Sequence, residues 1–298
     1  AQKIWRCLKS RGTREVVVGE ILSLCVASHH SGLIDCITPG GEDNFSRRMK
    51  KADSNFDEVW LNADAGIREL CEGLLRDPQL VGDIGDIVVD ICRIEEQENL
   101  RRFKIGLLTR FLFSCLIDAD RTDTADAAEP VRAAYRQHGR YVPWSALASL
   151  LERHLEQFPG ATPADSLRKR VSLECLSAAG RPKGTFTLTV PTGGGKTLAS
   201  LRFALNHAAK WGMDRVIYVC PYTSIIDQNA DVVRRILEPS GAAFGSVVLE
   251  HHSNLIPTKQ TWRSKILSEN WDAPVVFTTA VQLLEALFGS GTRGVRRM

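Results

Sequence analysis

Residues 190–197 read VPTGGGKT, and no other run limits so strongly what this chain can fold into. Three successive glycines, Gly193, Gly194 and Gly195, permit positive backbone φ angles and let amide N–H groups turn inward as an anion nest. Lys196 is placed to reach the β- and γ-phosphates of a nucleoside triphosphate, and the Thr197 hydroxyl to ligate Mg²⁺. The flanks agree with that reading. Residues 185–190, TFTLTV, alternate and are rich in β-branched side chains, which predicts a strand ending at the loop. Residues 196–210, KTLASLRFALNHAAK, space their apolar residues as a helix does, so a helix N-terminus faces the phosphates. One position departs from the strict G-x-x-x-x-G-K-[ST] pattern, which has glycine where Val190 stands. The competing reading is a purely structural glycine turn ahead of a helix.

Around this loop the pattern changes once along the chain. Residues 15–118 are helical in spacing, in stretches such as FDEVWLNADAGIRELCEGLL and ENLRRFKIGLLTRFLFSCLI. After Gly184, strand and helix alternate, with further strands expected at 215–220, 246–250 and 274–278. That order predicts a parallel, doubly wound sheet. The polar stretches 118–130 and 158–165 read as a broken join, with one amphipathic connecting helix between them. The expected division is a helical domain over 1–130, a helical linker over 131–165 and an α/β domain over 166–298.

Composition excludes some classes. A net charge of +3 is too small to argue nucleic-acid binding by itself. The eight cysteines never form C-x-x-C, so neither a zinc ribbon nor a redox pair is suggested, and they read as reduced thiols of a cytoplasmic protein. The most apolar stretch, Ile105–Ile117, contains Arg110 and falls short of the ~20 apolar residues that span a bilayer. No membrane partner is expected.

In the helical half, His29 and His30 stand together at a helix end. Adjacent helical side chains point about 100° apart. Two neutral imidazoles suit a metal centre, and the other reading is a polar surface turn. Asp118 and Asp120, two apart at the end of a long helix, are candidate carboxylate ligands or a solvated acidic helix end. Facing different ways, only one of them would serve a shared site. His251 and His252 follow an expected strand in the other half and read as loop residues.

Three stretches carry a resemblance: VPTGGGKT, then VCPYTSIIDQNADVVRRIL at 219–237, then VVFTTAVQLLEALF at 275–288. They look like the first three motifs of superfamily 2 helicases, and more narrowly those of the CRISPR-associated nuclease–helicases of type I systems. ASHHSGL and SCLIDADRTDT are similar to the late part of that family's HD nuclease domain. The resemblance implies an all-α HD-type domain (its C-terminal part) followed by an incomplete α/β RecA-like P-loop domain. It implies ATP and Mg²⁺ bound through Thr192, Gly193, Gly194, Gly195, Lys196 and Thr197, with Lys196 catalytic. Pro221, Tyr222, Thr223 and Ser224, with Thr278 and Thr279, would touch the backbone of one DNA strand, a task suited to hydroxyls and amides. His29, His30 and Asp120, with Asp118 the second choice, would hold a divalent transition metal. Partners implied are single-stranded and R-loop DNA and an RNA-guided CRISPR surveillance complex.

The departures are equally specific. The family's His-Asp dyad and earlier histidines have no counterpart, and the first histidine is His29. The only adjacent Asp-Glu is Asp57–Glu58, far ahead of the loop. The expectation is an internal fragment whose Walker B carboxylate and second RecA-like domain lie beyond it. The alternatives are a truncated, non-catalytic ATP- and DNA-binding module or another P-loop nucleotide enzyme. No Gln-motif stands before the loop; Leu167-Arg168-Lys169-Arg170-Val171 occupies its place.

Overall fold

The structure, a computed structural model, describes all residues except 52–54, 135, 137–138, 159, 161, 239–244, 253–266, 290, 293–295 and 298, and nothing of the Arg132 side chain. The chain folds as two compact units, one of Ala1–Ala127 with Glu285–Met298, the other of Ala128–Leu284.

The first unit is helical: α1 (Gln2–Leu8), α2 (Thr13–Ser28), α3 (Asn44–Met49), α4 (Phe56–Asn62), α5 (Ala65–Arg76), α6 (Pro78–Ile94) and α7 (Glu98–Ala128). Local chemistry sets several boundaries. The Asp64 carboxylate accepts from Gly66 and Ile67 N–H at the start of α5, and Asp77 accepts from Gln79 N–H ahead of Pro78 at the start of α6. α2 lies against α1 and α6, where Leu8, Val18, Val81 and Ile84 form a small core. A second cluster joins Cys25 to Phe113 and Ile117. One sequence expectation fails here. The polar run from 118 was read as a broken join, yet α7 continues through it to Ala128. No glycine or proline interrupts the run before Pro130. The Thr124 hydroxyl also turns back to the Asp120 carbonyl at 2.8 Å, so the helix keeps its polar turns.

The second unit holds the sheet. Its described elements are α8 (Pro130–Ala133), α9 (Trp144–Glu156), α10 (Pro163–Ala178), α11 (Lys196–Trp211), β1 (Val216–Cys220), α12 (Thr223–Leu237), β2 (Val248–His251) and β3 (Val275–Thr279), which runs on into α13 (Ala280–Phe288). The three strands run parallel in the order β1-β3-β2. β3 lies in the middle and buries Val275, Val276, Phe277 and Thr278, the apolar run expected of a strand covered on both faces. β1 has β3 alone as a strand neighbour among the described residues and leaves Ile217 and Val219 exposed. The connecting helix of the sequence reading is part of this core. Leu147 and Leu151 of α9 are fully buried with Leu201 and Leu205 of α11 and Ile226 of α12.

The strand expected at 185–190 does not form. A strand needs a neighbour's N–H and C=O groups in register, and among the described residues nothing pairs with this segment. It runs instead along an open cleft of about 910 Å³, walled also by α10 and by Ser200 and Phe203. Phe186 anchors it, its ring 4.9 Å from that of Phe203 and 5.6 Å from that of His207. No helix among the described residues is long and apolar enough to cross a membrane.

Candidate functional site

The glycine loop has the geometry of a phosphate cradle, though its three glycines serve two different purposes. Gly193 and Gly195 sit at φ +81° and +79°, in the left-handed region where a side chain is strained. Gly194 is needed for space: a Cβ there would lie 2.3 Å from Val190 Cγ1 and 3.0 Å from the Pro191 carbonyl oxygen. Val190, the position that departs from the strict pattern, thus packs directly on the loop. Gly195 caps α11, so Lys196 and Thr197 occupy its first turn and the loop meets the positive end of a sixteen-residue helix.

Lys196 is exposed and makes no hydrogen bond or ion pair among the described residues, so its ammonium is available to an anion. The Thr197 hydroxyl lies 3.1 Å from Asn229 Oδ1 on α12, which fixes where that oxygen points. Behind them the Ser200 hydroxyl is 3.5 Å from the Tyr218 hydroxyl, and burial pushes the phenol up to about 12. A neutral tyrosine therefore backs the helix. The residues present suit a triphosphate with Mg²⁺: a cation in the first turn of a helix, a positioned hydroxyl and a left-handed glycine loop.

Two residues here were not legible as site residues. Arg168 of α10 donates from Nε to the Gly193 carbonyl at 2.9 Å and pairs through Nη1 with Asp165 at 3.1 Å. Hydrogen bonds from Thr162 hold the Asp165 carboxyl below its usual range, and Thr162 with Asp165 forms the capping box of α10. The other is Asn229. Both act across elements, so helical spacing carries no trace of them; the only hint of Arg168 is its place in the basic tract Leu167–Val171 ahead of the loop.

The nucleic-acid candidates share one edge of the sheet. In the parallel register Cys220 lies beside Thr279, so Pro221–Ser224 leave β1 next to the point where β3 turns into α13. Loops beyond the carboxyl ends of parallel strands are where such sheets bind ligands. Pro221, Tyr222 and Ser224 are exposed, and Tyr222 precedes α12 with its carbonyl accepting from Ile225 and Ile226 N–H. The two threonines differ. The Thr279 hydroxyl is near the surface and accepts from Gln282 N–H at 3.3 Å. Thr278 is fully buried and donates to the His251 carbonyl at 2.8 Å. In this conformation it holds β3 to β2 and offers nothing to a strand of DNA.

The helical candidates are less gathered. His29 ends α2, its Nδ1 2.7 Å from the Val26 carbonyl, and its ring lies close to that of His30, centroids 3.7 Å apart and tilted by 39°. The 100° divergence expected of helical neighbours is lost because the helix stops there. Asp118 is engaged by Arg296, at 3.0 Å from Nη2 and 3.1 Å from Nε, whereas Asp120 is exposed. Among the described residues, His29, His30, Asp118 and Asp120 do not form a set of three ligand atoms within reach of one ion. The arginine ties Asp118 to another partner, and Asp120 projects elsewhere on α7. The set that does lie close together is Asp227, Glu250 and His252.

A left-handed glycine loop opening a helix beside a parallel sheet, with hydroxyl-bearing turns along the sheet's carboxyl edge, defines a P-loop nucleotide-binding domain. Comparison narrows the class: residues 171–296 match the DEAD/DEAH box helicase family. The CRISPR-associated nuclease/helicase Cas3 of Haloferax volcanii is 31% identical over 126 residues, which covers 36% of this chain and 13% of that protein. This chain therefore spans a small part of its relative's length. The residues that match the DEAD/DEAH family include Lys196, Pro221–Ser224 and Thr278–Thr279, while His29, His30, Asp118 and Asp120 fall outside them. The family match supports a helicase-type second half, with the ATP and divalent metal that such a family implies, and the Haloferax protein supports the resemblance to the CRISPR-associated helicases.

Proposed function

We propose that this chain is the nucleotide- and DNA-binding segment of an ATP-dependent DNA helicase that acts in CRISPR defence. The carrying observation lies in the second unit: the Gly193–Gly195 loop opens α11, the Thr197–Asn229 contact ties α11 to α12, and Pro221–Ser224 and Thr279 follow the carboxyl ends of the paired strands β1 and β3. In this reading Thr192–Gly195 supply amides, Lys196 neutralises the β/γ-phosphates and Thr197 holds Mg²⁺. Tyr222, Thr223, Ser224 and Thr279 hold backbone phosphates of one strand without reading its sequence. Bound ATP would supply the free energy of phosphoryl transfer and Mg²⁺ would offset the phosphate charge; the chain's own residues bind and orient them. Arg168 keeps the loop shaped by holding the Gly193 carbonyl.

The first unit resembles the late part of an HD nuclease domain in sequence, and there the His29–His30 pair and Asp120, or Asp118, would have to draw together to hold a divalent transition metal. The parent would then degrade the displaced strand of an R-loop made by an RNA-guided surveillance complex in the cytoplasm. The 298 residues contain no Asp-Glu pair after Lys196. Hydrolysis needs an oriented water and stabilised charge on the phosphoryl group, so this segment binds ATP without appreciable turnover and has weak or no nuclease activity. The test measures a fluorescent ATP analogue, single-stranded DNA anisotropy and phosphate release on the purified chain. Saturable binding of both ligands without release is expected. Failure to bind nucleotide would sink the reading, and robust DNA-stimulated release would show a complete ATPase whose carboxylate has been misplaced.

A further inference from the structure

Strand alternation and helix periodicity meet at one seam of the second unit. Glu250 and His252 lie two residues apart along β2 and its extension, so their side chains share a face. Asp227 and Arg234 lie seven apart on α12, two turns on, and so share a stripe of the helix. The two sets face each other: His252 Nε2 is 3.2 Å from Asp227 Oδ1, and Arg234 Nη2 donates to Glu250 Oε1. The His252 side chain is 1% exposed and that of Glu250 5%, whereas Asp227 is half open to solvent at 46%.

From this geometry we infer that Asp227, Glu250 and His252 form a divalent-cation site, distinct from the phosphate loop and from the His29–His30 pair, that clamps α12 to the end of β2. One ligand atom from each residue lies within 4.8 Å of the other two. Bond lengths of about 2.0–2.2 Å to imidazole nitrogen and carboxylate oxygen put such atoms within reach of one ion after a small contraction. One nitrogen and two oxygens suit Zn²⁺ or Mn²⁺ rather than a thiolate-seeking metal. Arg234 fits beside them as an orienting group: its ion pair holds the Glu250 carboxylate at a fixed angle, as partners of metal ligands do. Its charge also opposes a cation, so affinity falls below that of closed structural zinc sites. Asp227 supplies the solvent-facing entry.

The place of this seam gives the cation a role. The next residue back, His251, accepts the Thr278 hydroxyl through its carbonyl, and Asp227 sits one turn into α12, after the exposed Pro221–Ser224 turn. A bound ion would therefore stiffen the frame that carries both proposed DNA-contacting turns. That last step rests on the helicase reading, whereas the site itself does not.

The experiment uses the purified 298-residue chain, stripped with chelator and titrated with Co²⁺ as a spectroscopic stand-in for Zn²⁺. In the double variant His29→Ala/His30→Ala, which removes the other proposed metal ligands, ligand-field absorption saturating at one equivalent is expected; adding Lys196→Ala leaves it unchanged, and the substitutions below are made in that background. Asp227→Asn keeps a hydrogen-bonding partner for His252 at a half-exposed position, so it tests the site without emptying the core. It should weaken Co²⁺ at least tenfold, and His252→Ala should abolish the absorption. Zn²⁺ should raise the melting temperature of the double variant and not of Asp227→Asn. Absence of the absorption, or affinity unchanged by both substitutions, would mean an ion-pair network only and overturn the site. Metal binding without any gain in single-stranded DNA affinity would overturn the stiffening role alone.

Discussion

In the sheet unit, side chains from α9, α11, α12, β2 and β3 meet in a single cluster around Leu147, Leu201, Ile226 and Phe277. The helical unit distributes its burial differently. Leu8–Val18–Val81–Ile84 and Cys25–Phe113–Ile117 form separate small cores. Meanwhile Ile67, Leu70 and Leu74 of α5 stay 58%, 65% and 52% exposed although they line one stripe of that helix. α5 is thus as amphipathic as α12 yet buries only Leu75, where α12 buries Ile226, Ala230, Val233, Ile236 and Leu237. An apolar stripe states that a helix can be covered; only a packed neighbour stabilises it. The same contrast runs through the candidate sites. The phosphate loop and the helix turn after it are held by α10 and α12, while the His29–His30 pair is held by its own helix end.

The largest effect that could break this contrast is on stability. Leu201→Ala should cost about 2–5 kcal/mol by leaving a cavity in the sheet core, whereas Leu70→Ala on exposed α5 should stay within about 0.5 kcal/mol. Hydrogen exchange resolved along the chain reads both; comparable losses would mean the two units bury their apolar residues alike. Next in size is ligand affinity. Lys196→Ala removes a charge-assisted contact of about 1.5–3 kcal/mol, roughly tenfold or more in affinity for an ATP analogue, and Asp120→Asn should leave that affinity alone. Equal affinity of Lys196→Ala and the native chain would rule the loop out as the phosphate site.

Smaller still is the relay behind the loop. Thr162→Ala breaks the capping box of α10 and should cost about 1 kcal/mol; by loosening Asp165 and Arg168 it should also weaken nucleotide binding slightly, and unchanged binding would detach the relay from the site. Least in energy is a thiol test of the helical unit. Burial pushes the Cys25 thiol up to about 12, so at pH 8 alkylation should modify exposed Cys92 well before Cys25. The sign for stability follows: a folded thiol held above the ordinary 9.0 contributes fully below pH 9.0, and that contribution is lost as pH rises toward about 12. Equal rates at the two cysteines would show the Cys25–Phe113–Ile117 core to be open.

Much of this was legible beforehand. The run VPTGGGKT determined the loop and the helix after it, because glycine's freedom and helix capping are local properties of a few residues. The same holds for the alternation that yields β1, α12, β2 and β3; the bounds of the three strands fall within two residues of expectation. Whether residues 185–190 pair was not local: a β-pattern promises a pleated surface, and the hydrogen bonds must come from another strand. The end of α7 also escaped, since polar composition resembles a linker until side-chain bonds such as Thr124 to Asp120 are seen. Thr278 and Thr279 read alike as neighbours, and only the β2–β3 register decides that one is buried while the other faces outward. Arg168 and Asn229 at the loop, and the Asp227–Glu250–His252 seam, come from residues far apart in the chain. Spacing along a sequence encodes which face of an element a side chain takes; which other element that face meets is settled by the tertiary fold alone.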